Sequence, residues 1–146
     1  MRMTVIGTGY LGATHAACMA ELGHEVLGVD VDESKIESLK NGEVPFYEPG
    51  LPEVLERNIA AGRLDFTTDY AQAAQFANVH FLGVGTPQRH GSYAADMTYV
   101  KAVIRDLVPL LEGEHVILGK STVPVGTAAE LQEMANELAQ EGSHVE

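Results

Sequence analysis

Met3-Thr4-Val5-Ile6-Gly7-Thr8-Gly9-Tyr10-Leu11-Gly12 stands at the head of the chain, and its two halves call for different backbones. The short run Met3 to Ile6, stopped by Gly7, reads as a buried strand of a parallel sheet. From Leu11 the period changes. Leu11, His15, Cys18, Met19 and Leu22 recur at helical spacing among small alanines, which predicts a helix with those residues on its inward face. Gly23 then ends the run as a left-handed C′ residue should. Between strand and helix, residues 7–12 match G-x-G-x-x-G. Gly7 permits the tight turn, Gly9 lets backbone approach a pyrophosphate with no Cβ in the way, and Gly12 lets the helix lie close to the strand. The pyrophosphate then meets the positive end of the helix dipole. Out of context such glycines are more often a plain turn; here strand and helix stand on either side as the dinucleotide fingerprint requires.

Asp30 strengthens that reading. Glu25 to Val29 reads as a second strand, and Asp30 lies at its end, 18 residues after Gly12, where the fingerprint places a carboxylate for the adenosine ribose hydroxyls. Asp32 and Glu33 follow at once, so a ribose 2′-phosphate would meet several carboxylates within one Debye length. NAD is therefore expected as the cofactor in preference to NADP. Lys35 is the one cation nearby; spacing alone leaves it equally open to contact with the adenosine end of the cofactor or to a solvated helix surface.

Strands and helices alternate along the rest of the chain. Asp32 caps a predicted helix through Leu39. Val44 to Pro52 holds three prolines and a glycine and reads as a shaped loop, followed by a helix over 53–61. Leu64 to Thr67, Val79 to Val84 and His115 to Gly119 read as strands, with helices over 69–76, 98–111 and 127–140. This alternation predicts one α/β domain over residues 1–146: a Rossmann-type parallel sheet with right-handed crossovers and helices on both faces. Gly142 to Glu146 reads as a turn and the first residues of a further strand, which marks the chain as part of something longer. Val84-Gly85-Thr86-Pro87 follows the fourth strand, and Lys120-Ser121-Thr122-Val123-Pro124-Val125-Gly126-Thr127 follows the fifth. Both fall at the carboxyl ends of strands, where ligands bind in such sheets, so Thr86, Ser121 and Thr122 are candidate cofactor contacts.

Composition narrows the class. Nine basic against 21 acidic residues give a formal charge of −12, which repels nucleic-acid phosphates and anionic lipid surfaces at long range. Neither nucleic acid nor a membrane is expected as a partner. Backbone N–H groups still attract an anionic cofactor locally. Cys18 is the single cysteine; no intrachain disulfide is possible, and its place on the apolar helix face reads as core. The histidines show no ligand spacing, so no metal is expected. No apolar run approaches the ~20 residues of a membrane span, and the cytoplasm is the default location.

Taken together, Gly7-Thr8-Gly9-Tyr10-Leu11-Gly12, Gly23-His24-Glu25-Val26, Asp30-Val31-Asp32, Pro45-Phe46-Tyr47-Glu48-Pro49-Gly50-Leu51, Gly62-Arg63-Leu64, Thr67-Thr68-Asp69, Val84-Gly85-Thr86-Pro87 and Lys120 to Thr127 resemble, in order and spacing, the UDP-glucose 6-dehydrogenase family. The resemblance runs the whole length. Its most diagnostic parts are the Tyr-Glu-Pro-Gly-Leu loop and Lys-Ser-Thr-Val-Pro-Val-Gly-Thr. The related GDP-mannose dehydrogenases usually carry arginine at the position of Lys120. Gln88-Arg89-His90-Gly91 departs from the family, which usually has an acidic residue before this glycine.

The resemblance implies a two-step oxidation of the C6 alcohol of UDP-glucose to UDP-glucuronate, with two NAD reduced and a thiohemiacetal and thioester formed on a catalytic cysteine. That cysteine, with lysine, asparagine and aspartate helpers, belongs in the family to a C-terminal substrate domain absent from this chain. Carried over position by position, Leu11, Asp30, Lys35, Thr86 and Thr122 match residues that contact NAD. Thr122 also matches a threonine that helps hold a catalytic water, which makes it the one catalytic candidate here. The full set of expected NAD contacts is Gly7, Gly9, Tyr10, Leu11, Gly12, Asp30, Lys35, Thr86, Ser121 and Thr122. The parent is expected to be a homodimer or larger, and the 146 residues alone to be inactive. Two rivals stay open: another nucleotide-sugar dehydrogenase, acting on GDP-mannose or UDP-N-acetylmannosamine, and a nucleotide-sensing regulatory domain, which would not need the motifs after the fourth and fifth strands.

Overall fold

In the computed structural model, which describes residues 1–44 and 46–146, the described residues form six strands and six α-helices. The strands are β1 (Arg2–Ile6), β2 (Glu25–Val29), β3 (Leu64–Thr67), β4 (Val79–Leu82), β5 (Glu114–Gly119) and β6 (His144–Val145). They lie in the order β3-β2-β1-β4-β5-β6, every pair parallel. The connecting helices are α1 (Tyr10–Glu21), α2 (Glu33–Lys40), α3 (Leu51–Ala60), α4 (Tyr70–Phe76), α5 (Thr98–Leu107) and α6 (Thr127–Leu138). This is the doubly wound Rossmann arrangement. Strand order reverses between β1 and β4, so right-handed crossovers carry the chain onto opposite faces, and a crevice opens at the carboxyl ends of those two strands.

The pleat divides the core in two. Met3, Val5, Val26 and Phe66 turn toward Ala13, Ala16, Ala17 and Ala20 of α1, Ile36 and Leu39 of α2, and Leu51 and Leu55 of α3. Ile6, Leu27, Val29 and Leu82 turn the other way, onto Ala73 of α4, Val100, Val103, Ile104 and Leu107 of α5, and Ala135 of α6. Register keeps the faces aligned, with Met3 beside Val26 and Ile6 beside both Val29 and Leu82.

Local signals set the helix ends. Asp32 accepts the N–H groups of Ser34 and Lys35, and Asp69 accepts that of Ala71, closing the first turns of α2 and α4. Gly23, at φ 93°, ends α1. Helix α3 begins at Leu51, two residues before the expected start, because a proline is tolerated in a first helical turn. Helix α5 stops at Leu107 rather than Leu111: Pro109 has no N–H to donate, and residues 108–110 tighten into a 3-10 turn. The expected strand after Gly142 is β6, short and paired to β5. Pro45, part of the proline-rich motif, lies outside the described residues.

The inward face of α1 differs from the one the periodicity indicates. Gly12, Ala13, Ala16, Ala17 and Ala20 are buried, while Leu11, Cys18 and Leu22 are exposed and His15 is half-buried. Cys18 is therefore a surface thiol and not core. The cause is proximity: a helix that must lie against β1 closely enough for Gly12 to touch the turn leaves room only for methyl groups beneath it. Large residues at helical spacing are then displaced outward.

Candidate functional site

The glycine turn is built from backbone contacts. Gly7, at φ 91°, donates its N–H to the Val29 carbonyl at 2.7 Å. A Cβ on Gly7 would lie 2.7 Å from the Val84 nitrogen, and one on Gly12 only 1.7 Å from the Gly7 carbonyl oxygen. Glycine is thus demanded by the protein itself at both positions. Gly9 is different: a Cβ there would meet nothing within 4 Å. The middle glycine keeps space open on the outer side of the turn, where α1 begins without a side-chain cap. Its first N–H groups are left to an external acceptor. These features fit a pyrophosphate.

Asp30 closes the turn from below. One carboxylate oxygen accepts the Thr8 N–H at 2.8 Å, the Thr8 hydroxyl at 3.0 Å and the Lys35 ammonium at 2.9 Å; the other accepts the Asp32 N–H at 3.1 Å. Burial opposes the charged carboxylate, but the Lys35, Thr8 and Asp32 hydrogen bonds outweigh it and hold Asp30 below the usual carboxylate range. Asp30 therefore ties the glycine turn to the head of α2, a task that motif reading did not show. Lys35 is fixed against Asp30, beside the crevice rather than free on a helix surface.

Gly7, Gly9, Asp30, Val31, Asp32 and Lys35 form one wall of a cleft of about 490 Å³. Tyr70, Tyr99, Ala102, Val103 and Asp106 form the other, with Gly83, Val84 and Gly85 at the end of β4 between them. Sequence reasoning missed that second wall. The available signal is the i, i+3, i+4, i+7 stripe Tyr99-Ala102-Val103-Asp106, polar at both ends, but only the topology brings this face of α5 to the crevice. Tyr70 sits deep, its hydroxyl pushed up to about 12 by burial and by the charges of Asp106 and Asp30, and stays protonated.

The loop candidates Thr86, Ser121 and Thr122 do not line this cleft, and Ser121 lines a second cavity instead. The Thr86 hydroxyl donates to the Thr122 carbonyl at 2.8 Å, and the Ser121 hydroxyl donates to the Val84 carbonyl at 2.7 Å. These bonds bring the loops after β4 and β5 together, as their shared position at the carboxyl edge requires. Tyr10 and Leu11 do not line the cleft. The Tyr10 hydroxyl donates to the Glu48 carboxylate and its ring lies 5.0 Å from Phe46, tying the turn to the loop before α3. A further cavity of about 290 Å³ between α5, α6 and β5 is lined mainly by apolar residues such as Leu82, Ile104 and Leu131 and contains neither the glycine turn nor Asp30. Among the described residues, no helix is long and apolar enough to cross a membrane.

The sequence model for the NAD binding domain of the UDP-glucose/GDP-mannose dehydrogenase family matches residues 1–146. The chain belongs to this family. Among its relatives, UDP-glucose 6-dehydrogenase of Rhizobium meliloti is 45% identical over 94% of the chain and 31% of that protein. GDP-mannose 6-dehydrogenase of Pseudomonas syringae pv. syringae is 39% identical over 88% of the chain and 30% of that protein. The solved structure of a UDP-glucose dehydrogenase from Pyrobaculum islandicum superposes with a TM-score of 0.91 at 36% identity, over 99% of this chain and 34% of that one. The chain thus spans about a third of the length of its family relatives, as one NAD-binding domain, and its cofactor is NAD.

Proposed function

We propose that this domain binds NAD across the β1/β4 crevice and serves an enzyme that oxidises UDP-glucose to UDP-glucuronate in the cytoplasm as a homo-oligomer. The observation that carries the cofactor assignment is the asymmetry of the three glycines: Gly7 and Gly12 are filled by protein, while Gly9 faces space that a pyrophosphate fits. In this reading the N–H groups at the start of α1 hold the pyrophosphate. Asp30 accepts a ribose hydroxyl on the oxygen that otherwise takes only the Asp32 N–H, and Lys35 keeps the carboxylate ionised. Asp32, which stands exposed beside Asp30, disfavours a 2′-phosphate.

NAD, when bound, accepts hydride from the sugar C6. This chain supplies position rather than acid or base. Thr86 and Ser121 hold the two carboxyl-edge loops in register, and Thr122, whose hydroxyl has no hydrogen bond among the described residues, orients a water. UDP-glucose is preferred over GDP-mannose as substrate because Lys120 stands where the GDP-mannose enzymes usually carry arginine and because the Rhizobium meliloti relative is the nearer of the two in sequence. Calorimetry of NAD on this domain tests the cofactor assignment. NADH formation by a full-length enzyme offered UDP-glucose, GDP-mannose and UDP-N-acetylmannosamine tests the substrate, and turnover of GDP-mannose alone would overturn it.

A further inference from the structure

The stretch Phe46-Tyr47-Glu48-Pro49-Gly50-Leu51 lines no part of the cleft, yet it reaches the glycine turn from outside. Of residues 7–12, three are glycine and one is leucine, so only Thr8 and Tyr10 can tie the turn down through a side-chain hydrogen bond. Both do, and each bond ends on a carboxylate. Thr8 is held by Asp30 beneath the turn, and Tyr10 donates to Glu48 on the exposed side. The N–H groups of Tyr10, Leu11 and Gly12 come before the first helical bond of α1, from the Ala13 N–H to the Gly9 carbonyl at 2.9 Å. They belong to a glycine-rich backbone, which on its own samples many shapes and loses that freedom when a ligand fixes it. Glu48 is itself well fixed. Its carbonyl accepts the Leu51 N–H at 3.2 Å at the entry to α3, and the far end of α3 is held to α1 by Arg57 and Asn58, which donate to Glu21 at 2.8 and 2.7 Å. The Phe46 ring, 5.0 Å from that of Tyr10, supports the same contact.

We infer that Tyr10 and Glu48 are positioning residues for the dinucleotide: together they brace the glycine turn from its exposed side, so that its N–H groups are aligned before the pyrophosphate arrives. The inference rests on the NAD-binding reading above and adds to it a role for the loop before α3. Neither side chain needs to touch the ligand. A turn already held in its bound shape gives up less freedom on binding, so the brace raises affinity by preorganisation. The bond also leaves a mark on Tyr10 itself. Hydrogen bonding to Glu48, with the charge of that carboxylate, raises the phenol above the ordinary tyrosine value.

Titration calorimetry with NAD on the parent and four variants tests the brace. Tyr10→Phe keeps the ring against Phe46 and removes only the hydroxyl; it should weaken NAD about three- to tenfold. Glu48→Ala should weaken NAD by a similar factor, and Glu48→Gln, whose amide oxygen still accepts, should recover most of that loss. The double variant Tyr10→Phe/Glu48→Ala should bind about as well as the weaker single one, because the same bond is lost in each. Adenosine, which has a ribose and a base but no phosphate, should bind these variants as it binds the parent. Tyr10 is exposed and Glu48 half-buried, so melting points should stay close to that of the parent. Carbon-13 NMR of the tyrosine rings should show Tyr10 titrating at lower pH in Glu48→Ala than in the parent. NAD affinity unchanged or tightened in Tyr10→Phe and Glu48→Ala, losses that add in the double variant, or an equal loss for adenosine overturns the inference while leaving NAD binding intact. A Tyr10 titration that Glu48→Ala does not move overturns it too, since the bond is then absent in solution. Failure of the parent to bind NAD at all removes the functional proposal itself, and the two failures are distinct.

Discussion

The glycine turn and the His80–His115 pair lie only a few residues apart in the sheet, at the ends of β1 and β4 and across β4 and β5, yet they are held together by opposite means. At the carboxyl edge, Gly7, Gly12 and Gly83 bring three pieces of backbone together by having no side chains, and a Cβ on Gly83 would be 3.2 Å from the Gly7 oxygen. Three residues down the same two strands, Thr4 and His80, with His115 of the neighbouring β5, fill the α4/α5 side with polar side chains that bond one another. The Thr4 hydroxyl lies 2.7 Å from His80 Nδ1, His80 Nε2 lies 3.0 Å from His115 Nδ1, and His115 Nε2 lies 3.1 Å from the Glu112 carbonyl.

With both rings neutral, only one arrangement satisfies this chain. A carbonyl only accepts, so His115 Nε2 carries its hydrogen; His115 Nδ1 then accepts from His80 Nε2–H, and His80 Nδ1 accepts from the Thr4 hydroxyl. Burial, with a smaller contribution from His115, pushes His80 down to about 4 and keeps it neutral. The edge is thus specified by what is missing and open to a ligand, whereas the interior is specified by mutual satisfaction and closed to water. A methyl group breaks the first; a proton breaks the second.

The largest effect expected from this contrast is at Gly12. Gly12→Ala forces a methyl into the Gly7 carbonyl, which backbone cannot yield cheaply, and should cost about 3 kcal/mol or more, read as a lowered urea midpoint. An unchanged midpoint would show that turn and helix move apart freely. Gly9→Val, by contrast, should melt close to the parent and lose NAD affinity by about 100-fold or more, since its side chain enters only the space meant for the ligand. Retained affinity in a folded Gly9→Val protein would remove the pyrophosphate assignment.

The interior answers to pH. His80 is lowered to about 4 from an ordinary value near 6.5, so the unfolded chain binds a proton more readily than the folded one between those values. Stability should therefore be fully present above about pH 6.5 and fall, by roughly 3 kcal/mol at most, as pH drops toward 4. Denaturant titrations of wild type and His80→Gln at pH 7 and pH 4.5 should show a steeper loss for the wild type. Parallel pH profiles would mean that His80 takes its proton without opening the sheet.

Asp30→Ala should weaken NAD about tenfold and narrow the preference over NADP, and it should also loosen the turn, because Thr8 and Lys35 lose their acceptor. Equal affinity of the wild type for NAD and NADP would contradict the role of the acidic wall. The smallest effect on binding is expected at Thr122. In a full-length enzyme, Thr122→Ala should slow turnover by more than it weakens NAD, because a hydroxyl that orients a water acts on the transition state. A lowered melting point with an unchanged rate per folded molecule would make it structural. The 146 residues alone should form no NADH from UDP-glucose.

Local chemistry was legible along the chain because each signal is complete within a few residues. The Gly7–Gly12 turn, the caps at Asp32 and Asp69, the left-handed Gly23 and the carboxylate at the end of β2 all act on backbone next to them, and strand and helix periods followed from the same short range. What needed the tertiary structure were contacts between distant segments. The buried side of α1 depends on how near β1 the helix must lie, so Ala13, Ala16 and Ala20 displaced Leu11, Cys18 and Leu22 from the interior. His80 and His115, 35 residues apart, meet because β4 and β5 are neighbours. Tyr70, Tyr99 and Asp106 reach the crevice because right-handed crossovers carry α4 and α5 onto the face where strand order reverses. Sequence determines which backbone shapes are possible at each point, and packing decides which of the exposed-looking groups share a cleft, since distance in space is set only once the sheet has closed.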